Sequence, residues 1–151
     1  MRSLVVLAVL ALGACVAAPP VRRFSPMDTT AVTDVLHAQA AAWNRGDLAA
    51  YMDGYAKIDN LVFTSGGHVR RGWQDAFDHY KAKYATDPKA MGHLVFTITQ
   101  IDAVGADAAV VLGTWTLTES VQPGRGVFSL VFERRPEGWR IIHDHTSLAT
   151  D

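Results

Sequence analysis

Apolar side chains recur every three or four residues between positions 28 and 84, and every second residue after Gly92. This change of period, from about 3.6 to 2, separates a helical first part from a sheet-forming second part. Asp28 or Thr29 can cap a helix that runs to about Arg45, with Val32, Val35, Leu36, Gln39, Ala40 and Trp43 on one stripe. Gly46 supplies a left-handed stop and Asp47 caps the next helix. There Leu48, Tyr51, Met52 and Tyr55 follow the i, i+3, i+4, i+7 spacing of a buried face. A short strand over 61–64, a Ser65-Gly66-Gly67 turn and a second short run over 68–71 come next. After Gly72 a third helix is predicted from Trp73 to about Tyr84, presenting Trp73, Phe77, Tyr80 and Tyr84, and Pro88 ends that stretch.

Four period-two runs complete the chain, over 93–101, 108–119, 126–134 and 139–145. The connections between them carry Gly, Asp and Pro and are short enough for antiparallel hairpins. Helices first and an antiparallel meander after is the α+β pattern, and a curved sheet wrapping a long helix suits these lengths. No repeat, low-complexity tract or internal linker interrupts residues 28–151, so one domain is expected.

Composition changes the picture at the amino terminus. Of the first 14 residues, 11 are hydrophobic. Arg2 followed by an apolar run over 4–12 reads as an export signal, well short of the roughly 20 residues of a membrane span. Leu12-Gly13-Ala14-Cys15 resembles the bacterial lipobox, which implies cleavage before Cys15, a diacylglycerol on its sulfur and acylation of the new amino terminus. Cleavage near Ala17 or Ala18, giving a soluble secreted or periplasmic protein, is the alternative, and Pro19 disfavours it. Val16 after the cysteine, in place of Asp, implies an outer-membrane anchor facing the periplasm if the cell is Gram-negative. Residues 15–27 read as a tether, since 16–27 hold three of the six prolines and no apolar periodicity. The chain therefore divides into a leader (1–14), a tether (15–27) and a domain (28–151). After position 14 there remain 13 basic and 15 acidic residues, net −2. That balance argues against a nucleic-acid partner and leaves lipid as the sole route to a membrane. A single cysteine excludes an intrachain disulfide and a multi-cysteine zinc site.

Three segments carry a family resemblance. They are Trp43-Asn44-Arg45-Gly46-Asp47-Leu48 with Tyr51 and Tyr55, then Arg71-Gly72-Trp73 with Tyr80, and a closing run from Gly138 to Ser147 that reads GWRIIHDHTS. In order and spacing they resemble the SnoaL-like/DUF4440 branch of the NTF2-like superfamily across residues 28–147. The closing strand is also similar to the calcium/calmodulin-dependent kinase II association domain. The resemblance implies a cone of curved antiparallel sheet around helices, a pocket at its open end and a homodimer packed through the sheets. The ketosteroid isomerase of this fold uses an aspartate base with a Tyr and a protonated Asp as oxyanion donors. Alignment on Asn44-Arg45-Gly46-Asp47 places those positions at Gln39, near Thr64 and near Phe128, so none is retained. Loss of these groups argues against that mechanism and weakens a polyketide-cyclase reading.

Candidate chemistry concentrates in the last strand. His143, His145 and Ser147 alternate with Ile142, Asp144 and Thr146, which puts the two histidines on one face and Asp144 on the other. Comparison with the isomerase suggests that the histidine face lines the pocket, where His143 or His145 could act as general acid or base. The competing reading gives both imidazoles structural hydrogen bonds. A metal on the two histidines would need a third ligand, with His93 or Glu119 the only suggestions, so neither metal nor cofactor is expected. Tyr55, Tyr80 and Trp115 are ligand-binding candidates because a buried hydroxyl or indole N–H needs a partner, while Trp43 and Phe77 read as core. Arg70 and Arg71 alternate, so one faces the sheet interior or the cone mouth; Arg71 is assigned to the pocket, where it would favour a carboxylate or other anion, and a surface salt bridge is the competing reading. His37, His68 and His79 read as solvated. Cys15 lies outside the domain and leaves no cysteine nucleophile, and the glycine pairs have turn spacing rather than a phosphate loop.

The expectation is an exported lipoprotein whose cone pocket binds a small, partly apolar molecule. The alternatives are a His-dependent acid/base enzyme of isomerase, cyclase or hydrolase type, and a non-catalytic association module. Mass spectrometry of mature protein from native membranes should find an acylated Cys15 as its first residue; any other amino terminus rejects the anchor.

Overall fold

A computed structural model describes residues 21–84 and 87–149; the leader, Cys15 and the first part of the tether lie outside the described residues. In chain order the elements are α1 (Pro26–Asn44), α2 (Leu48–Met52), β1 (Val62–Ser65), β2 (His68–Arg71), α3 (Trp73–Tyr84), a 3-10 turn (Pro88–Met91), β3 (His93–Ala103), β4 (Ala108–Thr118), β5 (Gly124–Arg135) and β6 (Gly138–Leu148). The α+β expectation holds: two helices, the β1–β2 hairpin and a third helix precede a four-stranded meander, and the six strands form one curved sheet that wraps α1 into a cone.

Helix α1 starts earlier than Asp28, because Ser25 is its N-cap and Pro26 occupies the first helical position, where a missing N–H costs nothing. Asp28 has another role. Its buried carboxylate accepts from the Ser25 N–H at 2.9 Å and the Ser25 hydroxyl at 2.8 Å. It also accepts from Arg22 at 2.8 Å, from the Trp139 indole at 3.3 Å and from the Arg134 guanidinium. Arg22 reaches on to the Ala106 carbonyl and the Asp107 carboxylate in the β3–β4 turn. This hub fastens the start of the domain to the turns at one end of the sheet.

Asp47 caps α2 as expected, accepting from the Ala50 N–H at 3.0 Å. The helix ends at Met52 instead of running through Tyr55. The chain there pairs with β6: the Ile141 N–H donates to the Gly54 carbonyl, and the Ala56 N–H to that of Ile141, both at 2.9 Å. Gly54 is required by packing, since a Cβ would lie 2.4 Å from the Gln39 side chain. Tyr55 is thereby pinned to the inner face of the sheet.

The strand order is β2-β1-β6-β5-β4-β3. The last four strands form the expected meander, and β1 joins it by pairing parallel with β6. That pairing between distant segments closes the cone over α3. Phe128, Leu130 and Phe132 of β5, with Trp139 and Ile141 of β6, pack their inward side against Val32, Leu36 and Trp43 of α1. The Trp43 indole donates to the Met91 carbonyl at 2.8 Å, tying α1 to the 3-10 turn.

Removing one partner from a buried ion-paired hub leaves uncompensated charge, typically costing about 3–5 kcal/mol. Asp28→Ala should lower the unfolding free energy by roughly that amount in urea denaturation, and a loss below about 1 kcal/mol would show that the hub does not hold the domain.

Candidate functional site

The contents of the cone are decided by a bulge in β6. Phe132 pairs with Ile141 and Val131 with His143, so Ile142 is an extra residue with no counterpart on β5. One inserted residue flips the alternation of everything beyond it. Trp139 and Ile141 point inward before the bulge, and Asp144 and Thr146 take the inward places after it, opposite Leu130 and Phe128. His143 and His145 consequently lie on the outer face. The expectation that the histidine face lines the pocket is corrected here, because it carried one strict alternation across the bulge. The sequence holds a signal for the break, the adjacent isoleucines Ile141-Ile142, which no single alternating face can accommodate.

Between the inner sheet face, α1 and α3 lies a cavity of about 520 Å³. Its wall is mainly aromatic and aliphatic, and its deep part includes Leu36, Gln39, Tyr51, Tyr55, Leu130 and Ile141. Trp43 and Tyr51 meet edge to face at 4.9 Å between ring centres, and Phe63 and Tyr80 do so at 5.8 Å. Such contacts hold the rings in fixed orientations.

Asp144 is the acidic residue of this wall, and it is 5% exposed. The Tyr55 hydroxyl donates to one carboxylate oxygen at 2.7 Å and the Thr146 hydroxyl to the other at 3.0 Å. The Tyr51 and Tyr55 hydroxyls are 3.4 Å apart, which extends the polar chain to a second phenol. Burial pushes the Asp144 carboxyl up to about 6, against the opposing pull of the Tyr55 and Thr146 hydrogen bonds. Burial likewise pushes Tyr51 up to about 12 and raises Tyr55 and Tyr80 well above the ordinary phenol value. The phenols therefore remain hydrogen-bond donors near neutral pH, while Asp144 can exchange a proton there.

Tyr55, Tyr80 and Trp115 line the cavity, and Ser147, on the same outward register as His145, borders it near the end of the strand. The Trp115 indole N–H is buried beside Gly126 with no acceptor among the described residues. Arg71 is exposed and lies away from the wall, and Arg70 takes the place assigned to it. Register explains the correction: Phe63 points inward and pairs with Arg70, while Arg71 pairs with Val62 on the opposite side. His68 and His79 are exposed, and both also border the cavity. His37, His93 and Glu119 are exposed and lie away from it. Among the described residues no group of three or more His, Cys, Asp or Glu side chains is placed to hold a metal. Asp144, Thr146, Tyr51 and Arg70 are among the wall residues that sequence reasoning did not select.

Because folding raises the Asp144 value from 3.8 to about 6, the native state binds this proton more tightly than the unfolded chain does. The group costs nothing below the unfolded value, and its cost grows as pH rises through the window to about 6, then levels off at roughly 3 kcal/mol. Wild-type protein should thus lose stability relative to Asp144→Asn as pH rises from 4 to 7. Denaturation curves for the two proteins that stay parallel across that window would contradict it.

The SnoaL-like domain family matches residues 32–151. Among solved structures, an NTF-2 like protein of unknown function from Shewanella oneidensis MR-1 is 39% identical with a TM-score of 0.75, over 79% of this chain and 98% of that one. An NTF2-like superfamily protein from Salmonella enterica serovar Typhimurium LT2 is 19% identical, with a TM-score of 0.65 over 83% and 93% of the two chains. A ketosteroid isomerase-like protein from Erwinia carotovora atroseptica SCRI1043 is 18% identical, with a TM-score of 0.66 over 84% and 100%. The last two share the fold alone. No curated protein matches. With the family match spanning most of the chain and a relative of the same fold at 39% identity, this chain belongs to the SnoaL-like domain family of the NTF2-like superfamily.

Proposed function

We propose that the cavity binds a small, largely apolar molecule whose polar end meets Asp144 and Tyr55, and that Asp144 takes or gives a proton on that molecule. The observation that carries this reading is a carboxyl buried among aromatic rings, with its value pushed up to about 6 and a phenol donating to it at 2.7 Å. An acid/base group is most effective when its pKa lies near the working pH, and a low-dielectric wall strengthens its hydrogen bonds. The acid/base role first sought in His143 and His145 thus passes to Asp144, with the Tyr55 hydroxyl holding its carboxyl in place. Such a pair suits proton transfer next to a carbonyl or hydroxyl, the chemistry of an isomerase or dehydratase.

Two further proposals concern where and how the domain acts. The export leader and Leu12-Gly13-Ala14-Cys15 support a lipid-anchored envelope protein. The outer sheet face presents Val95, Leu112 and Val127 to solvent among threonines and serines, with Arg125 at its edge, which supports pairing with a second copy.

The test is titration of the protein with 2-naphthol, followed by tryptophan fluorescence. Wild type should bind it, and Asp144→Asn and Tyr55→Phe should each weaken binding about tenfold, the worth of one hydrogen bond to a charged group. A His143→Gln, His145→Gln double variant should bind like wild type. Equal affinity in all four proteins would remove Asp144 from the site.

A further inference from the structure

The mouth of the cavity has a charge character that its interior lacks. Arg70 of β2 and Lys83 of α3 border it, joined by His68 and His79, whereas Asp144 is the one carboxylate among the lining residues. The whole chain is slightly acidic, at net −1. The basic rim is therefore a local concentration and not a reflection of overall charge. The facing acid is Asp75, whose carboxylate stands 3.8 Å from the Arg70 guanidinium and is itself half-exposed. That distance is beyond hydrogen bonding, and among the described residues the Arg70 fork donates no hydrogen bond. Asp78, on the same helix, is engaged by Lys81 at 3.1 Å and Gln74 at 3.0 Å. The Lys83 ammonium lies 5.0 Å over the Tyr84 ring, at the border of the aromatic wall.

The spacing between the rim and Asp144 follows from register. Leu130, Asp144, Phe63 and Arg70 form one row across β5, β6, β1 and β2. Two strand spacings separate the backbones of Asp144 and Arg70, about 10 Å. Phe63 lies between them with its ring in the wall. An apolar body lying on Phe63 and Tyr80 would place its two ends at unlike groups, a titratable carboxyl on one side and a guanidinium fork on the other.

We propose that the pocket is selective for small organic carboxylates with an apolar body, the carboxylate held at the mouth by Arg70 and Lys83 while the opposite end reaches Asp144. This rests on the reading of the cavity as a binding site and adds the charge and orientation of its occupant. Arg70 supplies two parallel N–H donors matched to a carboxylate, which gives direction as well as attraction. Repulsion from an ionised Asp144 disfavours the reversed pose. Burial, and then the nearby charges of Arg70 and Lys83, hold the His79 imidazole below its ordinary value against the pull of Asp75. An anion bound among these cations opposes that lowering and favours the protonated imidazole.

The experiment compares 2-naphthoate with its uncharged analogue 2-naphthamide by isothermal titration. Wild type should bind the acid at least tenfold more tightly at low salt, and the preference should shrink as salt rises. Arg70→Gln with Lys83→Gln should abolish the preference by weakening the acid far more than the amide. Arg70→Lys, which keeps the charge and loses the fork, should retain an intermediate preference and guards against a folding defect in the double variant. Equal affinity for acid and amide in wild type overturns the proposal and leaves the apolar pocket standing. So does a preference that survives in the double variant. Binding of neither probe overturns the pocket reading and this inference together.

Discussion

Ile142 has no partner on β5, and the chemistry of the cavity depends on that mismatch. A β-strand presents alternate residues to opposite sides, so one uncounted residue exchanges the two faces for the rest of the strand. Before the bulge Trp139 and Ile141 build the core against α1. After it Asp144 and Thr146 occupy the same inner face, where a strict alternation would have placed His143 and His145. Two imidazoles become an outer-surface feature and a carboxylate becomes an interior one. Everything inferred about proton transfer follows from this exchange.

An interior carboxylate is expensive unless its oxygens are satisfied, and the surrounding elements are arranged to satisfy them. Gly54 lets the chain press against Gln39, which brings Tyr55 alongside β6 and its hydroxyl to Asp144. Thr146 serves the other oxygen from two residues along the same strand. The remaining penalty appears as the raised proton affinity of Asp144. The domain thus holds a group that destabilises it at neutral pH, which supports the proposed acid/base role of Asp144. The opposite case is Asp28, which is as deeply buried but surrounded by two arginines, an indole and a serine. Its role is to fasten elements together.

Local patterning made most of the architecture legible. The span of α3, the cap at Asp47 and the four long strands follow from spacing and from Gly, Asp and Pro signals close to each element. Three things did not, each for a physical reason. The start of α1 depends on Ser25 and Pro26, inside a stretch whose prolines read as tether. The parallel pairing of β1 with β6 joins segments some eighty residues apart, and no local period encodes it. The faces of β2 and β6 depend on register, so Arg70 and Asp144 were passed over for their neighbours Arg71 and His143. Tyr55, Tyr80 and Trp115 were found because an aromatic residue with a polar atom advertises a partner wherever it is buried, independent of register.

The position of Arg22 has a consequence for orientation. It grips the β3–β4 turn and Asp28, beside the first residues of β6, whereas Ser147 and Leu148 at the far end of that strand border the cavity mouth. Eleven residues of extended chain separate the two, roughly 30 Å. Arg22 and the opening therefore lie at opposite ends of the sheet. The start of the described chain thus stands clear of the route by which a solute enters the cavity.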